Sequence, residues 1–400
     1  MNRDREQHTE STALTTFAFR AMNTAVSCTL SCEHKEQAEQ WKQTVMSWFR
    51  YIENRFSRFR PGSELVQLNK TTGTDCLVSS AMLEVLQLTE LYRKQTEGTF
   101  SPFILDALQR CGYDRSFEQL TAASGAAAAL SPAAHFASAD SAIDIDAPAI
   151  QINSYMQSVK LPSGAAIDLG GIVKGWAVRR LADWLRRKHG VARGILNAGG
   201  DLAVWGGGPL GSNESPVSSG TEEITDIGTR ATAETSACNA PAAYAASPIP
   251  AARTKPDNSM NDSSPLWRIA IEHPWQDEGT IGLLLLGDGA SATSSTLGRR
   301  WEQGGEMMHH LIDPVTLRPA ASDLVQCTTS GSDPVACEIW AKTLCILGSE
   351  AGLGLLARAK PPVEALLFSR GRDIIYYGDQ ASLGAKWVGV PVTRTIFRNA

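Results

Sequence analysis

The stretch Ala166-Ile167-Asp168-Leu169-Gly170-Gly171-Ile172-Val173-Lys174-Gly175-Trp176-Ala177 decides how this chain reads. An apolar approach ends in an aspartate, turns through two glycines, and starts an amphipathic helix with a lysine in its first turn. Free N–H groups at a helix start, bare glycine backbone and a nearby ammonium together suit a phosphate-bearing ligand. The spacing is neither GxGxxG nor GxxxxGK[ST], so the two common nucleotide fingerprints do not apply. The alternative is a strand-to-helix turn that needs glycine only for its backbone. The local pattern leaves both open.

Outward from that turn, Trp41, Val45, Trp48, Ile52 and Phe56 recur at three and four, which predicts an amphipathic helix over 36–56. Residues 81–95 read as a second helix stopped near Gly98, and 172–187 as a third with Trp176, Leu181, Trp184 and Leu185 inward. Pro334 starts a fourth that runs through Ile346 and ends near Gly348. Strands are predicted at 194–197, 202–205, 267–271, 282–286, 324–328, 363–368 and 373–377. Helices and strands are grouped rather than strictly alternating, which favours an α+β fold over a doubly wound parallel sheet.

At 400 residues and 43% hydrophobic content the chain can bury a substantial core. Two stretches do not read as core. Residues 122–148 are rich in Ala and Ser, and 209–265 are dominated by Ser, Thr, Ala, Pro and Asn with Tyr244 as their only aromatic. Such composition cannot offset the entropy of ordering, so 209–265 is read as a disordered insertion within one domain over 17–385. A net charge of −5 gives no electrostatic footprint for nucleic acid or an anionic membrane. Met1 to His8 are polar and mixed in charge, and the apolar run 281–286 is far too short to span a bilayer. No membrane anchor is expected, and a cytoplasmic location is. Eight cysteines without a CxxC pair fit free thiols better than a structural zinc.

Three further groupings carry chemistry. Asn197-Ala198-Gly199-Gly200-Asp201 offers a second close backbone approach to a ligand, or a β-hairpin turn. His309-His310-Leu311-Ile312-Asp313-Pro314 sets an imidazole near a carboxylate, which suits a base, a metal ligand or an exposed pair. Glu338 and Lys342 lie four apart in the fourth helix, the favourable order for an ion pair. Residue chemistry by itself reaches an anion or phosphate site with acid/base groups in reach.

Taken in order, these pieces resemble the FAD:protein FMN transferase (ApbE) family. The matching segments are Ala21-Met22-Asn23-Thr24-Ala25-Val26-Ser27, then Phe56-Ser57-Arg58-Phe59-Arg60-Pro61-Gly62-Ser63-Glu64-Leu65 closing at Leu68-Asn69, and Glu97-Gly98-Thr99-Phe100-Ser101-Pro102. The Asp168 turn, Asn197–Asp201, Ala292-Thr293-Ser294-Ser295, His310–Pro314 and the helix through Leu344-Cys345-Ile346-Leu347-Gly348 follow. The resemblance implies a single α+β domain with a mainly antiparallel sheet packed with helices. It implies FAD as substrate, transfer of FMN to a Thr or Ser hydroxyl of an acceptor flavoprotein, and release of AMP. Met22, Phe59, Thr99, Phe100, Ser101, Asp168, Lys174 and Leu311 fall where family members contact FAD. Gly171 falls where a backbone carbonyl helps hold Mg²⁺, with Glu338 as the carboxylate donor. His310 and Asp313 fall in an HxxDP-type run and are the candidate bases for the acceptor hydroxyl.

The chain also departs from the family pattern. Family metal sites draw an Asp and, four residues later, a Thr from the last helix, and here Glu338 and Lys342 stand there. Ser101 stands where an Asp is common. A Lys342 ammonium in the place of Mg²⁺ would weaken or abolish metal dependence and make Lys342 a catalytic cation; a Lys342 that points away would leave Glu338 and the Gly171 carbonyl to hold the metal. Two other functions use the same diphosphate site: an FAD pyrophosphatase releasing FMN and AMP, and a non-catalytic FAD-binding protein, which the Glu338/Lys342 departure favours.

Overall fold

The computed structural model describes residues 13–123, 150–210, 265–276 and 279–398. Of the low-complexity stretches, 122–148 lies outside the described residues except for its first two, and 209–265 except for Pro209, Leu210 and Pro265.

Strands with apolar side chains on both faces build the centre. Val363–Ser369 is buried throughout, with Val363, Ala365 and Leu367 in one apolar cluster and Leu366 and Phe368 in another. A strand of this kind needs a covering layer on each side. It belongs to a nine-stranded sheet whose spatial order is also chain order: Ala13–Ala21, Thr24–Cys32, Gly194–Ala198, Asp201–Trp205, Gly289–Ser295, Leu324–Gly331, Val363–Ser369, Ile374–Gly378 and Arg394–Phe397. Every neighbouring pair is antiparallel except the last. The α+β fold with a mainly antiparallel sheet is therefore as expected, and its outer strands reach beyond 17–385 at both ends.

One face of the sheet packs against helices Lys35–Phe56, Ser80–Gln95, Val173–Asp183, Pro334–Leu347 and Ser349–Ala359. The other packs against a three-stranded sheet of Trp267–Glu272, Thr280–Leu286 and Trp387–Val388. The four expected helices are present. The third, expected over 172–187, is α-helical over Val173–Asp183 and widens into a π turn over Trp184–Lys188. Ser349–Ala359 escaped the pattern because Gly352 and Gly354 interrupt its apolar stripe. No helix among the described residues is long and apolar enough to cross a membrane.

Two contacts place the helices that matter for the site. Trp176 is buried against Phe56 and Trp48, with ring centroids 5.6 and 5.9 Å away, and the Trp48 indole donates to the Ala177 carbonyl at 3.0 Å. One residue earlier, Val173–Asp183 meets Pro334–Leu347 at Gly175. A Cβ there would lie 2.8 Å from the Pro334 carbonyl oxygen and 2.9 Å from Glu338 Oε2. Only a residue without a side chain lets the two helices approach this closely. Helix propensity favours alanine over glycine by about 1 kcal/mol, whereas forced overpacking against backbone costs about 1–3 kcal/mol. Gly175→Ala is therefore expected to lower the urea midpoint; an unchanged or higher midpoint would show that the helices can part freely.

Candidate active site

A cleft opens where the helix layer meets the ends of the first strands and a lateral hairpin. Its walls come from Met22 and Asn23, from the loop after Lys35–Phe56 (Ser57, Arg58, Phe59), from Thr99, Phe100 and Ser101, from the Asp168–Lys174 turn, and from His310 and Leu311. Lys342 and Ile346 reach in from Pro334–Leu347. Met22 and Asn23 form the two-residue turn between the first two strands, with φ of 52° and 56°. Such a turn requires positive φ at both positions, costly for methionine. Arg299 holds it by donating to the Asn23 carbonyl at 3.1 Å.

The Asp168 segment is held in place from three directions. Asn69 clamps Ile167 in both senses, its amide donating to the Ile167 carbonyl at 2.9 Å and its oxygen accepting from the Ile167 N–H at 3.0 Å. The Asp168 N–H donates to the Pro102 carbonyl at 2.8 Å. The Asp168 carboxylate accepts from the Gly170 N–H at 2.9 Å and pairs with Arg58 Nε at 3.1 Å. The Arg58 guanidinium lies 4.3 Å from the ring centroids of both Phe59 and Tyr113. Residues 165–169 belong to no strand, so the approach to this helix is an anchored coil. The free N–H groups expected at the helix start are largely committed: Ile172 and Val173 donate to the Leu169 carbonyl at 3.1 Å, and Gly175 donates to Glu338 Oε2 at 2.7 Å.

Cations take over where those donors are spent. Glu338 is fully buried behind the cleft, and its Oε1 accepts from Lys342 Nζ at 2.8 Å and Lys174 Nζ at 3.2 Å. Lys174 also pairs with Asp201, a buried carboxylate at the end of the Asn197–Asp201 segment. That segment is a β-hairpin turn, with Ala198 paired to Asp201 and φ of 68° and 95° at Gly199 and Gly200. Of the two readings it is the turn: Gly199 and Gly200 do not line the cleft, and the hairpin delivers Asp201 to the lysine. Burial pushes the Glu338 carboxyl up, yet Lys174 and Lys342 outweigh it and hold its pKa at about 2. Burial is also the largest influence on Lys174, lowering it to about 8 with help from Lys342 and Arg299 and against Glu338.

The two adjacent histidines separate by surroundings. His309 ends the strand Glu306–His309 and shares a 3.1 Å hydrogen bond with the Ala320 carbonyl, a structural contact. His310 turns into the cleft. Burial first, then Arg299, Lys342, His309 and Lys174, hold it well below the ordinary 6.5, so the imidazole is neutral near pH 7. Its Nδ1 is buried and has no hydrogen-bond partner among the described residues. The hairpin that carries it is anchored by Trp301, whose indole donates to the Cys111 carbonyl at 2.6 Å.

Of the residues expected from sequence, Met22, Phe59, Thr99, Phe100, Ser101, Asp168, Gly171, Lys174, His310, Leu311 and Lys342 all line this cleft. Asp313 does not: its carboxylate accepts from the Val315 N–H at 2.9 Å and the Thr316 hydroxyl at 3.1 Å and caps a turn. Glu338 does not fit the expected metal role, because one oxygen takes two ammoniums and the other a backbone N–H. Sequence reading missed Arg58, Asp201, Arg299 and Tyr113. Arg58 and Asp201 lay inside segments already singled out, but nothing local showed what they would pair with.

The sequence pattern describing the ApbE family matches residues 22–235 and 252–367. An FAD:protein FMN transferase of Klebsiella pneumoniae is 24% identical over 218 residues, 54% of this chain and 50% of that protein. One from Escherichia coli is 31% identical over 101 residues, 25% of this chain and 28% of that protein. The chain thus spans half or less of the length of these relatives. The fold is similar to that of the ApbE protein from Thermotoga maritima, with a TM-score of 0.66 and 17% identity over 94% of this chain and 99% of that one. It is similar also to the flavin transferase ApbE from Vibrio cholerae, with a TM-score of 0.60 and 18% identity over 91% and 96%.

Since the folded pKa of Glu338 lies below the ordinary 4.5, its stabilising contribution is complete above that pH and is lost as pH falls toward about 2. Urea midpoints taken downward from about pH 6 should fall more steeply for the native chain than for Glu338→Gln. Equal slopes would assign the acid sensitivity to another carboxylate.

Proposed function

We propose, from the premise that this chain belongs to the ApbE family, that it is a transferase that binds FAD in this cleft and moves FMN onto a Thr or Ser hydroxyl of an acceptor protein, releasing AMP. The observation that carries the reading is one cleft lined by an apolar, partly aromatic wall together with three cationic side chains and a neutral imidazole. Met22, Phe59, Phe100, Tyr113 and Leu311 offer the surface a flavin ring system needs, and Lys174, Lys342 and Arg299 face the place for its diphosphate.

The chemistry follows from the charges. The acceptor hydroxyl oxygen attacks the phosphorus of the FMN half, the P–O bond to the AMP phosphate breaks, and AMP leaves with the negative charge. Ammoniums set in advance beside that oxygen lower the barrier, since they need not reorganise as charge develops. The hydroxyl proton goes to His310, whose imidazole is neutral near pH 7 and carries a buried Nδ1 with no hydrogen-bond partner among the described residues. Asp168, fastened to Arg58 and Gly170, shapes the turn that presents Lys174.

Incubation of the full chain with FAD and a protein bearing an exposed threonine segment should add an FMN phosphoester to that protein by intact mass, with matching release of AMP. FMN and AMP released without any gain in acceptor mass would make the chain a pyrophosphatase instead. His310→Ala is expected to keep FAD affinity while slowing transfer about 10²–10⁴-fold; a collapse of FAD affinity would make His310 a binding residue. With Lys174 held at about 8, FAD affinity should decline as pH rises through that value, and Lys174→Met should show no such limb.

A further inference from the structure

We infer that this cleft holds the diphosphate of FAD without a divalent cation, the Lys342 ammonium standing where a metal ion would otherwise bridge; the inference rests on the reading of the cleft as an FAD site. Gly171 and Glu338 are the two groups assigned to a metal by resemblance, and Lys342 passes beside the first and pairs with the second. Its Cδ and Cε pass 3.7 and 3.8 Å from the position of a Gly171 Cβ, and its Nζ is 2.8 Å from Glu338 Oε1. The same Oε1 accepts from Lys174 at 3.2 Å, and Oε2 is taken by the Gly175 N–H at 2.7 Å.

A divalent ion that took Glu338 would have to displace two ammoniums or sit against their like charge. Glu338 has no exposure through which water could offset that repulsion. Among the described residues, no group of three or more His, Cys, Asp or Glu side chains offers an alternative cage. Lys342, by contrast, is ready as built. It stands on the long Pro334–Leu347 helix, its ion pair fixes its direction, and its side chain is 13% exposed toward the cleft. An ammonium held in this way supplies one fixed charge and hydrogen-bond donors to phosphate oxygens, with no ion to recruit.

The test is the dissociation constant of FAD, read from quenching of flavin fluorescence at constant ionic strength, in EDTA and in Mg²⁺, with riboflavin as the phosphate-free control. FAD is expected to bind the native chain equally, within about twofold, in both media. Lys342→Met should weaken FAD about tenfold or more and leave riboflavin unchanged, the loss of one charge-assisted contact. FAD binding that appears only with Mg²⁺, or is about tenfold tighter with it, overturns the assignment of the cation and leaves the FAD reading standing. Equal weakening of FAD and riboflavin in Lys342→Met overturns it too, because Lys342 would then be packing. No FAD binding in either medium removes the FAD reading itself, and this inference with it.

Discussion

A carboxylate with no solvent exposure, gripped by two ammoniums and one backbone N–H, is the constraint around which the rest of this structure is arranged. Desolvating an ion costs several kcal/mol, and each close pair returns about 4 kcal/mol at an effective dielectric of about 20. Neither number alone decides the outcome. What decides it is that Glu338 has several partners drawn from different elements, so burial is offset only when all of them arrive together. Lys174 and Gly175 come from one helix, Lys342 from another, and Asp201 reaches Lys174 from the sheet. The charge cluster therefore acts as a lock on their relative positions.

The same lock sets the electrostatics of the cleft. Burial first, and then the nearby Arg299, Lys342, His309 and Lys174, keep His310 uncharged near neutral pH. An imidazole in that state can take a proton from a hydroxyl, while the cations of the cleft favour an anion. On the proposed function, this one arrangement of charges serves both the acceptor of the proton and the place for the phosphates. The Trp176 cluster and the Asn69 clamp serve it from behind by fixing where the helix begins.

How far the site was legible depended on the range of the interaction. The glycine turn, the Lys in its first helical turn and the Glu338/Lys342 spacing are local and could be read directly. The family resemblance extended that reading to Met22, Phe59 and the 99–101 loop, all of which line the cleft. Arg58 and Asp201 were in view and had no assigned role, because their partners lie 110 and 27 positions away in the chain. Asp313 read as a base and became a turn cap, since its nearest donors, Val315 and Thr316, are its own neighbours.

Periodicity and turn residues determined the helices, most of the strands and the α+β class, because each depends on side chains a few positions apart. The pattern could also say that an acid and a base four apart on a helix would pair. Whether that pair faced solvent or a cleft was decided by the tertiary structure alone. Gly175 permits the helix crossing, the crossing buries Glu338, and burial directs Lys174 and Lys342 to one carboxylate oxygen. Charge placement of this kind rests on contacts between residues more than a hundred positions apart, and no local pattern carries them.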